Sequence, residues 1–211
     1  MEKTEILSHV DHTQLKAFAT WEDIRKLCDE AVSLHTASVC VPPCYIKRIR
    51  DNYPQLDICT VVGFPLGYSV TEAKLAEVKQ ALLDGADEID MVVNITDVKN
   101  HDYDAVETEI CALREATGSK ILKVIIETCY LTEEEKIRLC EIVTRAGADY
   151  IKTSTGFGTA GATLEDIRLF KEHIGPGVKM KAAGGIRTRE AMEAYLAEGC
   201  DRIGSSSAAN I

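Results

Sequence analysis

The sequence predicts an α/β fold of the (β/α)8 or TIM barrel class, with eight parallel strands closed on themselves, and three observations predict it. Short β-branched runs alternate with longer amphipathic segments from one end of the chain to the other, a rhythm of strand and helix. The runs number eight, so 211 residues divide into units of about 26, which suits a compact βα repeat with right-handed crossovers. No Gly-x-Gly-x-x-Gly fingerprint follows the first run, as an open doubly wound sheet that holds a dinucleotide would require. No stretch is rich enough in Pro, Gly or Ser to be a linker, so residues 1–211 read as one barrel domain.

The runs follow in order. VDHT from Val10 comes first, then ASVCV at 37–41, ICTVVGF at 58–64 and EIDMVVN at 88–94. KILKVIIET at 120–128, YIKTST at 150–155, VKMKAAGG at 178–185 and DRIGSSS at 201–207 complete the set. Between them lie segments with helical spacing: TWEDIRKLCDEAVSLH, TEAKLAEVKQALLDG, TEEEKIRLCEIVTRAG and TREAMEAYLAEG. Each opens on Thr, whose hydroxyl can cap free N–H groups, and three close on Gly, which readily ends a helix in a left-handed turn. After the last run only Ser-Ala-Ala-Asn-Ile remains, so the eighth helix is expected to be short or missing. That would expose one flank, which a second copy in a homodimer could cover.

Charge and composition exclude several functions. A net charge of -10 repels nucleic-acid backbones and anionic lipid, so neither is an expected partner. The longest apolar run, Ile121 to Ile126, is interrupted by Lys123 and falls far short of the ~20 residues of a membrane span. The start, MEKTEILSHVDHTQL, has no apolar core of a secretory signal, and the eight cysteines include no C-x-x-C pair. A soluble cytoplasmic protein with reduced thiols is the expectation. An anionic substrate would have to be held by local amides and a few cations against the field of the whole molecule.

In such a barrel, reactive groups stand at the C-terminal ends of the strands. The strands here carry charge where a structural strand would carry Val or Ile: Asp11, Asp90, Lys123, Glu127, Lys152, Lys179 and Lys181. Alternation puts Lys152 on one face with Tyr150 and Ser154, while Ile151 and Thr153 point the other way. Lys181 sits on the next strand and shares its face with Lys179, about 6 to 7 Å away. Burial and a neighbouring cation both favour the neutral form of a lysine, and a neutral amine attacks a carbonyl to form an imine. An isolated strand lysine is more often ion-paired or snorkelling; paired lysines on adjacent strands point to chemistry. Asp90 fits either a proton carrier beside them or a partner for Lys123 or Lys181.

Glycine- and serine-rich turns follow strands six, seven and eight: Ser154-Thr155-Gly156, Gly184-Gly185 and Gly204-Ser205-Ser206-Ser207. Together they predict a phosphate site, because such turns let backbone amides approach an anion. A zinc site is not expected, since His9 and His12 flank Asp11 but His35, His101 and His173 fall in helices and a polar loop. Cys40 is either a cavity wall or a small buried hydrophobe.

VDHTQL, VCVPP, VVGFPLG, ADEIDMVVN, LKVIIET, IKTSTGF, KAAGGIR and RIGSSS together resemble the deoxyribose-phosphate aldolase family over nearly the whole chain. The resemblance implies reversible cleavage of 2-deoxy-D-ribose 5-phosphate to D-glyceraldehyde 3-phosphate and acetaldehyde, with neither metal nor organic cofactor. It implies that Lys152 forms the Schiff base, that Lys181 lowers its pKa, and that Asp90 moves protons with Lys181 and an ordered water. Asp11, Cys40, Lys123, Thr153 and Gly204 match substrate-side positions, and Gly156, Gly184, Gly185, Ser206 and Ser207 match the phosphate site. Two departures stand out. Many relatives continue into a tail whose terminal tyrosine assists proton transfer, whereas this sequence stops at Ile211, and Phe157 stands where some members carry a further lysine. The competing readings are another phosphate-binding barrel, such as an epimerase, and a sugar-phosphate-binding protein without turnover.

Overall fold

Runs of β-branched residues favour extended backbone, and a parallel strand buried on both faces needs little polar alternation. The computed structural model describes residues 1–211 and places strands on all eight predicted runs. These are β1 (Val10–Thr13), β2 (Ser38–Val41), β3 (Ile58–Val62), β4 (Glu88–Val92), β5 (Ile121–Ile125), β6 (Tyr150–Lys152), β7 (Lys179–Ala183) and β8 (Arg202–Ser205). All are parallel, follow chain order and close with β8 on β1, which rules out the open doubly wound sheet.

The helices are α1 (Lys3–Leu7), α2 (Trp21–Leu34), α3 (Ile46–Asn52), α4 (Thr71–Asp84) and α5 (Ile95–Lys99), then α6 (Tyr103–Thr117), α7 (Glu133–Arg145), α8 (Leu164–His173) and α9 (Arg189–Glu198). Thr20 and Thr132 cap α2 and α7 in full capping boxes with Asp23 and Glu135, and Thr188 accepts the N–H of Ala191 at 3.2 Å to cap α9. The fourth predicted cap is corrected: Thr71 lies inside α4, and the flanking residue is Val70, which has no side chain able to cap. That helix is anchored by Lys74 instead. Its fully buried ammonium donates to Val92 O at 2.9 Å and to Glu109 Oε1 on α6 at 2.7 Å.

A single 3-10 turn, Ala208–Asn210, follows β8. No helix is long and apolar enough to cross a membrane. One continuous apolar cluster fills the space between strands and helices, from Ile6 and Leu7 of α1 through Ile110 and Leu113 of α6 to Phe170 of α8. The apolar material is therefore outside the strands. What lies inside is mostly polar, and strand register decides which groups meet there.

Candidate active site

Partnered residues on adjacent parallel strands present their side chains to the same face. Lys152 pairs with Lys181, Asp90 with Lys123, Lys181 with Arg202, and Asp11 with Gly204. Register thus turns three acids, Asp11, Glu88 and Asp90, and four cations, Lys123, Lys152, Lys181 and Arg202, into the barrel. Burying so many charges is tolerable only if each is matched, because an unpaired ion loses its hydration with no return.

The matching is close. Asp90 is fully buried and takes three lysines: Lys123 Nζ reaches Oδ1 at 2.8 Å, while Lys152 Nζ and Lys181 Nζ each reach Oδ2 at 2.7 Å. Lys181 also pairs with Asp11 Oδ2. Arg202 Nη1 holds Asp11 Oδ1 at 2.5 Å and Glu88 Oε2 at 3.0 Å, and Lys123 holds Glu88 Oε2 at 2.5 Å. Burial works against ionisation of Asp90, but the attraction of Lys123, Lys152 and Lys181 outweighs it and holds the carboxyl well below the usual range. The same competition, with Lys181 as the strongest attraction, lowers Asp11. Burial alone would discharge Lys123 and Lys181, yet Asp90 and Asp11 keep both raised above an ordinary lysine.

The signs fix a pH window for stability. The depressed carboxyls stabilise the fold above their ordinary value of 3.8 and lose that contribution as pH falls through their folded values. The raised lysines stabilise it fully below 10.5 and lose that contribution as pH rises toward their folded values. Thermal melting across pH 3 to 11 should therefore show a plateau that declines at both ends. A melting temperature still climbing at pH 11 would contradict these pairings.

Above this ionic layer a cavity of about 190 Å³ opens at the C-terminal ends of β6, β7, β8 and β1. Lys152 forms part of its floor, whereas Asp11, Asp90, Lys123 and Lys181 lie beneath it. Of the other expected residues, Gly156, Gly184, Gly185, Gly204 and Ser206 line the cavity. The N–H groups of Gly156, Gly184 and Gly185 donate to no acceptor within the chain. The close approach of these turns depends on glycine at position 184, where φ is +91° and a Cβ would lie 2.9 Å from Gly161 Cα.

Other expectations fall elsewhere. Thr153 is fully buried outside the cavity, its hydroxyl donating to Ala183 O at 3.2 Å and accepting from Ala183 N at 3.1 Å, so it braces β6 against β7. Ser207 does not line the cavity; its N–H donates to Ser205 Oγ at 3.1 Å within the turn. Cys40 is fully buried beside Cys59, whose thiol hydrogen bond holds the Cys40 thiol below the usual thiol range. Lys179 is exposed at the start of β7, its ammonium 5.6 Å from the Tyr150 ring, and Glu127 lies beyond β5 rather than inside the barrel. His9 Nδ1 meets Asp201 O at 2.9 Å and His12 Nε2 meets Glu30 at 2.8 Å.

The sequence reading omitted Glu88 and Arg202, although period-two alternation from Asp90 and Gly204 would have found both on the inward face. It also omitted Arg187 and Lys16, which bring positive charge to the cavity from two loops. No strand pattern marks those two, because loops obey no period.

The chain matches the family model described as DeoC/LacD family aldolase over residues 6–206. It is 66% identical over 212 residues to a Clostridium botulinum (strain Alaska E43 / Type E3) protein named deoxyribose-phosphate aldolase, covering 100% of this chain and 96% of the relative. A Clostridioides difficile (strain 630) protein of the same name is 58% identical, with 98% and 94% covered. Among solved structures, the tetrameric deoxyribose phosphate aldolase of Aeropyrum pernix superposes with a TM-score of 0.91 at 31% identity, covering 100% of this chain and 90% of that one.

Proposed function

The chain belongs to the DeoC/LacD family of aldolases, and from that premise we propose that it is a deoxyribose-phosphate aldolase acting through an imine on Lys152. The observation that carries the assignment of the lysine is the charge matching inside the barrel. Four cations face the three acids Asp11, Glu88 and Asp90; Lys123, Lys181 and Arg202 each bind two or more of them, and Lys152 binds Asp90 alone. It is also the one interior lysine that reaches the cavity.

In this reading Lys152 Nζ attacks the C1 aldehyde of open-chain 2-deoxyribose 5-phosphate, and loss of water leaves a protonated imine. A base removes the proton of the C3 hydroxyl, the C2–C3 bond breaks, and its electron pair moves toward the imine nitrogen. Glyceraldehyde 3-phosphate departs and an enamine remains. Protonation at C2 and hydrolysis then release acetaldehyde and regenerate Lys152. The imine nitrogen is the electron sink, so the cleavage calls for no organic cofactor. Asp90, beside both Lys152 and Lys181 at 2.7 Å, is the proton donor and acceptor, working with Lys181 and an ordered water. The amides of Gly156, Gly184 and Gly185, Ser206, and the charges of Arg187 and Lys16 would hold the phosphate, so that binding energy at an unreacting group positions the carbonyl. Eight free thiols, five of them buried, support a reducing, cytoplasmic setting.

The test is borohydride reduction in the presence of 2-deoxyribose 5-phosphate, followed by peptide mapping, alongside an assay of acetaldehyde release. One reduced adduct on Lys152 with turnover is the expected result. An adduct on Lys181 would exchange the roles of the two lysines. Neither adduct nor turnover in folded protein would leave an epimerase or a binding protein as the better reading.

A further inference from the structure

The loop after β6 sends Thr155, Gly156 and Phe157 to the cavity wall, beyond the last strand pairing that could fix its shape. A carboxylate from the neighbouring loop fixes it instead. Glu127, 1% exposed, stands just after β5 with left-handed backbone, φ 53° and ψ 66°, a conformation that non-glycine residues seldom adopt and that often marks a functional constraint. Its Oε1 accepts from Thr155 N at 3.2 Å and its Oε2 accepts from Thr155 Oγ1. The same hydroxyl accepts from Phe157 N at 3.0 Å. Glu127 and Thr155 thereby hold the backbone on both sides of Gly156, whose own N–H donates to nothing in the chain. Packing reinforces the arrangement, since a Cβ at Gly158 would come within 2.8 Å of Cys129 Sγ and 3.1 Å of Glu127 Cδ.

A buried acid this close to an anion site would normally repel the anion. Here both carboxylate oxygens are engaged by Thr155, so the negative charge is directed into the loop and the unpaired Gly156 amide is left for the ligand. We propose that Glu127 is a positioning residue for the phosphate end of the substrate, acting through Thr155 to hold the Gly156 turn, and that it sets the preference for phosphorylated over unphosphorylated sugar. The inference rests on the aldolase reading above and adds to it a source of substrate preference.

The experiment measures kcat/KM for 2-deoxyribose 5-phosphate and for 2-deoxyribose with the wild-type protein and with Glu127→Gln, Thr155→Val and Thr155→Ser. Wild-type turnover tests the aldolase reading itself; the ratio between the two sugars tests this inference. Glu127→Gln and Thr155→Val are each expected to lower that ratio about tenfold or more, mainly by raising KM for the phosphorylated sugar. Thr155→Ser, which retains the hydroxyl, should keep the ratio within about twofold of wild type. The double variant Glu127→Gln with Thr155→Val should lose no more than the larger single loss, because both changes break one connection. Should Glu127→Gln fail to fold, Thr155→Val removes the same bond from its other end. Equal losses on both sugars, or an unchanged ratio, would overturn the proposal.

Discussion

Lys152→Ala should abolish turnover, by on the order of 10⁴-fold or more, and should eliminate the borohydride adduct while leaving the barrel folded. Interior lysines are ordinarily dangerous to remove, because a buried partner is left behind with unmatched charge. Lys152 differs, since Asp90 keeps Lys123 at 2.8 Å and Lys181 at 2.7 Å after the truncation. The three acids then face three cations. Circular dichroism and thermal melting close to wild type, with no cleavage of 2-deoxyribose 5-phosphate, are the expected pair of results. Substantial residual cleavage would place the nucleophile elsewhere, and unfolding would show that Lys152 is needed for charge balance after all.

Lys181→Leu should do more damage, and of two kinds. Lys181 is fully buried between Asp11 and Asp90, which keep it raised above an ordinary lysine, so it is a fixed positive charge beside Lys152. Its loss takes one cation from each of Asp11 and Asp90, but Asp11 keeps Arg202 and Asp90 keeps Lys123 and Lys152, so the stability loss should stay below the about 3 to 5 kcal/mol of an orphaned buried charge. Imine formation near pH 7 should slow by at least about 10²-fold, because the ammonium that shares Asp90 Oδ2 with Lys152 is gone. Adding Asp11→Asn separates the two effects. The double variant should regain part of the stability, since Asp11, short of one partner, no longer carries its charge, but none of the rate. Recovery of both together would mean that Lys181 acts only as structural counter-charge.

Much of this was legible from periodicity. Eight apolar runs gave the strands, and alternation from Tyr150 to Lys152 and from Lys179 to Lys181 turned two lysines inward on neighbouring strands. Thr20, Thr132 and Thr188 announced helix starts, because an N-cap is a local arrangement of a hydroxyl and the amide three residues on. Thr71 followed the same pattern and was overridden, because the burial of Lys74 against Val92 and Glu109 holds that helix from outside its own sequence. The role of Thr153 as a brace depended on how the ends of β6 and β7 pair. Arg187, Lys16 and Glu127 likewise gained their places only when loops distant in sequence were folded over one mouth.

By itself, then, the sequence determined the strand rhythm, the inward face of each strand and the presence of lysines beside an aspartate on those faces. These follow from residue type and a period of two, which act over a few positions. Only the closed barrel decided which charge faces which. That Lys123 and Asp11 have partners besides Asp90 and Lys181 depends on Glu88 and Arg202, brought against them from strands β4 and β8. Ion matching acts through space at hydrogen-bond range, so it exists only after register and closure have fixed the distances.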